Sequence, residues 1–250
     1  MPGEWRLFPW HASHGLHLHV HFHPQADRST ETVRVLFWNV YRGPFGWDSI
    51  LHSIHKENAD VIVIAEFGKK GLPPNFWSNN FPDHRYRRLL PREVAVVSKH
   101  PIHESETIHH SDRGLYHRLT LSIVEQDVAL MVCDLPSRPY HQRSESIRRV
   151  SEMAALMKDQ PALIVGDMNT PVDSVHFNEL RHSYRNAFAV GGQGYHATWP
   201  MPLPLIAIDH LWVSRHIDVV ACRIKWTVSS DHRPIVADLI ISDFDHQSAK

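Results

Sequence analysis

Between Val33 and Val40 the chain is almost continuously apolar, and the polar Asn39 falls at the end of the run. Such a run predicts a strand buried on both faces. After the turn-forming Arg42-Gly43-Pro44-Phe45-Gly46, residues Trp47, Ile50, Leu51 and Ile54 recur at helical spacing and predict an amphipathic helix. Val61-Ile62-Val63-Ile64 predicts a second doubly buried strand that runs into Glu66. A β-α-β order of this kind makes the two strands parallel neighbours with the helix packed across them.

Further along, Gly68 to Arg92 mixes Pro, Gly, Asn and arginine and reads as loop with short extended pieces. Val94 to Ser98 predicts a short strand. Leu119 to Val124 and Val128 to Cys133 flank Glu125-Gln126-Asp127 and predict a hairpin. Ser144 to Met157 predicts a helix with Ile147, Val150, Ala154 and Met157 on one stripe. Pro161 then introduces a strand from Ala162 to Val165. Ser174 is the expected N-cap of a short helix reaching Arg181. The last third is strand-rich, with runs at Ile206–Val213, Val219–Trp226 and Ile235–Ile241.

The N-terminal run Leu16-His17-Leu18-His19-Val20-His21-Phe22-His23 alternates strictly, so a strand there places His17, His19, His21 and His23 on one face. Imidazoles at that spacing suit a transition metal, and a solvent-facing row without a ligand is the competing reading. Residues 1–30 are thus expected to be a His-rich extension that would add an edge strand, and residues 31–250 a single domain.

Strands buried in a core should stay apolar to their ends, and here several do not. Asn39 follows Leu36-Phe37-Trp38, Glu66 follows Ile62 to Ala65, and Asp134 follows Met131-Val132-Cys133. Asp167 and Asn169 follow Leu163 to Gly166, Asp209 follows Ile206-Ala207-Ile208, and Asp231-His232 precede Pro234-Ile235-Val236. Taken singly each is a turn or cap residue; together they mark converging strand ends, where ligands collect.

Trp38-Asn39-Val40, Ala65-Glu66-Phe67, Gly166-Asp167-Met168-Asn169-Thr170, Ile208-Asp209-His210 and Ser230-Asp231-His232-Arg233-Pro234 occur in an order that resembles the endonuclease/exonuclease/phosphatase family. These are the deoxyribonuclease-I-like, metal-dependent phosphohydrolases. The resemblance spans about Val33 to Ile241 and has softer matches at Val94–Ile102 and Ala197–Pro200. It implies an α/β (α+β) fold, a four-layer α/β/β/α sandwich of two mixed β-sheets flanked by helices, with the site at one edge. It also implies hydrolysis of a phosphate ester by metal-assisted attack of water.

Carried over position by position, the resemblance implies that Glu66 is the principal ligand of a Mg²⁺ or Mn²⁺ cofactor, assisted by Asn39, with Asp231 near the metal. Hard cations prefer such oxygen donors. A salt bridge from Glu66 to Arg42 or Lys69 is the competing reading. Asp167 and Asn169 would orient and activate the water, His232 would face the phosphate, and Asp209 would fix and support its imidazole. His210 is expected to be structural, because strand alternation sends it to the other face. Asp134 departs from the pattern, since many members carry a His there. A carboxylate beside phosphate must be protonated, metal-bound or paired, and Arg138 and Arg143 are the candidate partners. His141 is a candidate for the missing imidazole.

Composition narrows the substrate. Lys and Arg total 26 against 27 Asp and Glu, for a net charge of −1. Nucleic acid held through backbone neutralisation is not favoured by that balance, and Arg85, Arg87, Arg88 and Arg92 read as a solvated face. The partner expected is a phosphate ester of open identity. Two cysteines in apolar runs suggest no disulfide, and no apolar stretch reaches membrane-span length. A soluble, cytoplasmic monomer is the expectation. The competing class is a non-catalytic metal-binding or scaffold protein on the same fold.

Overall fold

The computed structural model describes residues 31–68, 72–109, 114–137 and 143–242, all within the compact unit Glu31–Lys250. The His row at 17–23 and the candidates Lys69, Arg138 and His141 lie outside the described residues.

The strands are β1 (Thr32–Asn39), β2 (Val61–Ala65), β3 (Tyr86–Leu90), β4 (Val94–Ser98), β5 (Ile102–His109), β6 (Leu115–Ile123), β7 (Gln126–Asp134), β8 (Ala162–Asp167), β9 (Tyr184–Asn186), β10 (Asp209–Ser214), β11 (Ile217–Ile224) and β12 (Ile235–Ile241). The helices are α1 (Trp47–Glu57), α2 (Phe76–Asn80), α3 (Arg143–Ala155), α4 (Asn178–Arg181) and α5 (Ala187–Gly191). Two six-stranded sheets form, in the orders β11-β12-β1-β2-β4-β3 and β5-β6-β7-β8-β10-β9. Each has one parallel pair at its centre, β1 with β2 and β7 with β8, joined by a crossover helix, α1 or α3. The other neighbours are antiparallel.

Residue parity sorts the layers. Val33, Val35 and Phe37 of β1, Val61 and Val63 of β2, and Val94 and Val96 of β4 face a core shared with Leu130 and Val132 of β7, Leu163 and Val165 of β8, and Leu211 and Val213 of β10. Their neighbours Leu36, Trp38, Ile62 and Ile64 face α1 and α2 in a second cluster. Met131, Cys133, Ile164 and Trp212 face α3 and α4 in a third. The result is the α/β/β/α sandwich, with two central strand pairs whose period-2 rows point into one shared core.

Several boundaries differ from expectation. The segment 68–92, expected as loop with short extended pieces, holds one such piece, β3, but also the helix α2, and β5, β9 and α5 carry no strong signal in the sequence. The strand expected from Ile206 begins at Asp209, and the segment from Ser174 opens as a 3-10 turn, Val175–Phe177, before α4. Ser174 does cap it, its side chain accepting from the His176 N–H.

Candidate active site

The inner-face rows of four strands end in polar residues. Asn39 continues Val35 and Phe37, Asp134 continues Leu130 and Val132, Asp167 continues Leu163 and Val165, and Asp209 precedes Leu211 and Val213. Register then brings them side by side: Asp167 is paired with Asp134 across β7–β8 and with Asp209 across β8–β10. Gly166 permits the first pairing, because a Cβ there would lie 2.0 Å from the Cys133 carbonyl oxygen. The polar cluster is therefore the open end of the inter-sheet core.

His232 stands against this cluster. Its Nδ1 donates to Asp209 Oδ2 at 2.8 Å, and its Nε2 lies 3.8 Å from Asp167 Oδ2 and 3.9 Å from Asp231 Oδ1. Burial opposes a charge on the imidazole, but the neighbouring carboxylates, Asp209 foremost, outweigh it and push the pKa up to about 10. The backbone is fixed as firmly as the ring. Trp38 Nε1 donates to the His232 carbonyl at 2.9 Å, and the His232 N–H donates to Ser230 Oγ. Asp209 takes its own support from Thr198, whose Oγ1 accepts from the Asp209 and Ile208 N–H groups.

Asp167 is enclosed. Burial, then the Asp209 charge, raises its pKa well above the usual carboxylate range. Its Oδ1 accepts from the Asn169 N–H at 2.9 Å, and its Oδ2 from Asn39 Nδ2 at 3.2 Å. Asn169 has a φ of 45° and spends its own amide on the Leu135 carbonyl at 2.8 Å. Through its bond to the N–H two residues on, the Asp167 side chain makes an Asx turn in this loop.

Glu66 lies across the cleft with a φ of 50°, in the left-handed region where a non-glycine residue is strained. Asn39 Nδ2 donates to Glu66 Oε1 at 3.2 Å, while Asn39 Oδ1 accepts from the Tyr41 N–H. The Arg42 ion pair weighed against the metal role is formed, at 3.0 Å to Glu66 Oε2. Arg42 is 62% exposed and also meets Glu93, so the pair is a weak, displaceable tether. Asp231 accepts from Trp199 Nε1 at 3.2 Å.

Asp134 makes no ion pair with an arginine among the described residues. Burial, then the Glu66 charge, pushes its pKa up to about 6, against the pull of Arg92 and Arg42. The pairing expected with Arg143 is not formed, although both residues line the same cleft.

That cleft, about 410 Å³, is lined by Glu66, Asp134, Asp167, Asn169, Asp231 and His232, with Trp199, Ile206 and Ile208 on one wall. His210 packs away from it against Phe177 and Trp212 in the helix-facing layer. The fixers Trp38, Thr198, Trp199 and Ser230 lie within the segments that carry the family resemblance, but they have no chemical signature of their own and no role was expected of them.

The sequence from residue 36 to 232, most of the chain, matches the model of the Endonuclease/Exonuclease/phosphatase family. The chain therefore belongs to that family. No curated protein matches it. Among solved structures it is similar to an endonuclease/exonuclease/phosphatase from Beutenbergia cavernae, with 20% identity and a TM-score of 0.68, over 84% of this chain and 72% of that one. It is also similar to D. rerio TDP2 complexed with a single-strand DNA product, with 13% identity and a TM-score of 0.67, over 84% and 99%. The human Nocturnin catalytic domain with bound sulfate matches at 16% and 0.67, over 84% and 94%. At these identities the likeness is one of fold. The family and fold make the protein a phosphoester hydrolase in class. Among the described residues no helix is long and apolar enough to cross a membrane.

Proposed function

We propose that the protein is a divalent-metal-dependent hydrolase of phosphate esters and that the residues of the cleft perform the reaction. The observation that carries this reading is the buried Asp209–His232–Asp167 constellation on the floor of the cleft that Glu66 and Asp231 line.

The donor set fits a hard divalent cation. Glu66 and Asp231 are part-exposed carboxylates, 23% and 31%; Asn39 turns its Nδ2 toward Glu66 and its Oδ1 toward the Tyr41 N–H, so in this arrangement it positions Glu66 rather than offering a ligand atom. Asp167, Asp209 and His232 also offer three donor atoms within 4.8 Å of one another, but they are enclosed and His232 Nδ1 is already committed to Asp209. Glu66 and Asp231 are therefore assigned to hold Mg²⁺ or Mn²⁺, with Asn39 assisting by fixing Glu66 through Nδ2. When bound, the ion offsets negative charge building on the phosphate and leaving oxygens.

The protein's own groups do the rest. His232, kept as an imidazolium by Asp209, presents its Nε2–H to a non-bridging phosphate oxygen. Asp167, its charge disfavoured by burial, takes the proton of the attacking water. Asn169 fixes the Asp167 carboxylate through its backbone N–H. Asp134 sits beside Glu66 as a carboxyl group that loses its charge near pH 6, and is assigned to substrate and metal tuning. The test is hydrolysis of bis(4-nitrophenyl) phosphate by wild type, Glu66→Ala and His232→Ala. Loss of most turnover in both folded variants is expected, and wild-type-like rates in either overturn the assignment.

A further inference from the structure

From Ala187 to Ile208 the chain contains no Lys, Arg, Asp or Glu, and the same is true from Trp226 to Ser230. Large apolar side chains in segments this free of charge are normally buried, yet these carry Leu203, Leu205, Trp226 and Val228 at 71%, 66%, 64% and 80% exposure. Single exposed apolar residues are ordinary; a cluster of them on one rim is not.

The two segments form one rim. Arg233, itself buried, donates to the Tyr195, Ala197 and Ile224 carbonyls, and its guanidinium lies 4.2 Å from the centre of the Trp226 ring. The Tyr195 hydroxyl donates to the Pro204 carbonyl, closing the first loop below Leu203 and Leu205. The Met201 N–H donates to the Asp231 carbonyl at 2.7 Å, joining the first loop to the second immediately beside His232. The rim is also continuous with the cleft, since Ile206, exposed at its outer edge, lines the cleft with Trp199 and Ile208.

Chemistry selects the occupant. Phosphate backbones need cations, and these loops supply none. Stacked bases need free ring faces; of the seven exposed large apolar side chains in these segments five are aliphatic, and the Trp226 ring already carries the Arg233 guanidinium. Aliphatic tips flanked by Trp and Tyr match the hydrocarbon–headgroup boundary of a bilayer, where the tips enter the acyl layer and the aromatic rings sit at the headgroups. We propose that this rim seats the catalytic cleft on a lipid bilayer, so that the phosphate ester it hydrolyses is carried by an amphiphile in that layer. The substrate half of this inference rests on the hydrolase reading above; the docking half does not.

Flotation with phosphatidylcholine vesicles tests the docking half on the full chain, and bis(4-nitrophenyl) phosphate reports the site independently. Wild type is expected to float with the vesicles. L203S/V228S, which alters two exposed positions outside the cleft, should bind vesicles at least about tenfold more weakly and hydrolyse the soluble diester at the wild-type rate. A second readout compares hexadecyl 4-nitrophenyl phosphate dispersed in the vesicles with ethyl 4-nitrophenyl phosphate in solution. The wild-type preference for the long-chain ester should be about tenfold or more and should collapse in L203S/V228S. Wild type that fails to float while hydrolysing the soluble diester overturns the inference and leaves the hydrolase reading standing. Vesicle binding without hydrolysis of any ester overturns the reading and its substrate half. A dimer in sedimentation, or oligonucleotide binding, that L203S/V228S abolishes also overturns the inference, because the rim then serves a different partner.

Discussion

Asp209→Asn isolates the role of the carboxylate behind His232. Asn is nearly isosteric and keeps an acceptor for Nδ1, so the change removes charge more than shape. The bond is 2.8 Å long between side chains that are 1% and 7% exposed, which places it among charge-assisted buried hydrogen bonds. Such bonds contribute about 1.5–3 kcal/mol, equivalent to about 10- to 150-fold in turnover at roughly 1.4 kcal/mol per tenfold. The pH profile moves as well. Burial opposes the imidazolium and Asp209 is its strongest support, so without that charge His232 loses its proton below its present value of about 10. The alkaline limb of turnover should shift to lower pH. Because Asp209 acts through the imidazole, the Mg²⁺ concentration for half-maximal rate should not change. Steady-state rates against Mg²⁺ at several pH values read all three quantities. Weakened Mg²⁺ dependence with unchanged saturated turnover would refute the reasoning and make Asp209 a ligand.

Asp134→His replaces a group that is neutral below about pH 6 with one that is cationic below its ordinary value near 6.5. Beside Glu66 this should raise the Mg²⁺ or Mn²⁺ concentration required, most strongly at acid pH; rate profiles superimposable on wild type would remove Asp134 from the site. Asp238→Asn tests the fold instead. Asp238 on β12 accepts from Arg34 Nε at 2.6 Å and Arg223 Nη2 at 2.5 Å, tying β1, β12 and β11 together. Burial works to raise its pKa, and the two arginine bonds more than reverse that, holding it below the usual carboxylate value. A depressed pKa contributes stability above the unfolded value, and this is lost as pH falls through the folded one. Urea unfolding should therefore show a loss of about 1–3 kcal/mol at pH 7 for the variant, discounted because both arginines are part-exposed, shrinking toward zero in acid; an equal loss at every pH would assign the effect to packing.

The sequence is legible where burial dictates residue type. β4 and β12 fall where their apolar runs predict, α3 follows its expected span to within two residues, and α1 starts at Trp47 as expected and runs three residues past Ile54. The edge strands β5 and β9 escape notice, whereas the edge strand β11 does not. Ile102-His103-Glu104-Ser105-Glu106-Thr107-Ile108-His109 pairs on one side only, so its composition stays polar and carries no strand period. The short α2 and α5 span too few residues for helical periodicity to register. The candidate site is legible because Asn39, Asp134, Asp167 and Asp209 stand at the ends of rows that are apolar next to them, such as Leu130-Val132 before Asp134. What single-strand patterns cannot carry is the distance between rows: that Asp209 meets His232, and that Arg42 rather than solvent meets Glu66, depends on sheet register. The uncharged stretch Ala187–Ile208 is visible in the sequence, but only its exposure gives it meaning.

The central claim is that the cleft at the open end of the inter-sheet core hydrolyses phosphate esters with a divalent ion held by Glu66. Hydrolysis of bis(4-nitrophenyl) phosphate, followed before EDTA treatment, after it, and after addition of excess Mg²⁺ or Mn²⁺, tests it most directly. Turnover that EDTA abolishes and the added ion restores in wild type, but not in folded Glu66→Ala, is the predicted result. Turnover unaffected by EDTA, or no hydrolysis under any condition, would contradict the claim, and the second outcome would favour a metal-binding or scaffold role on the same fold.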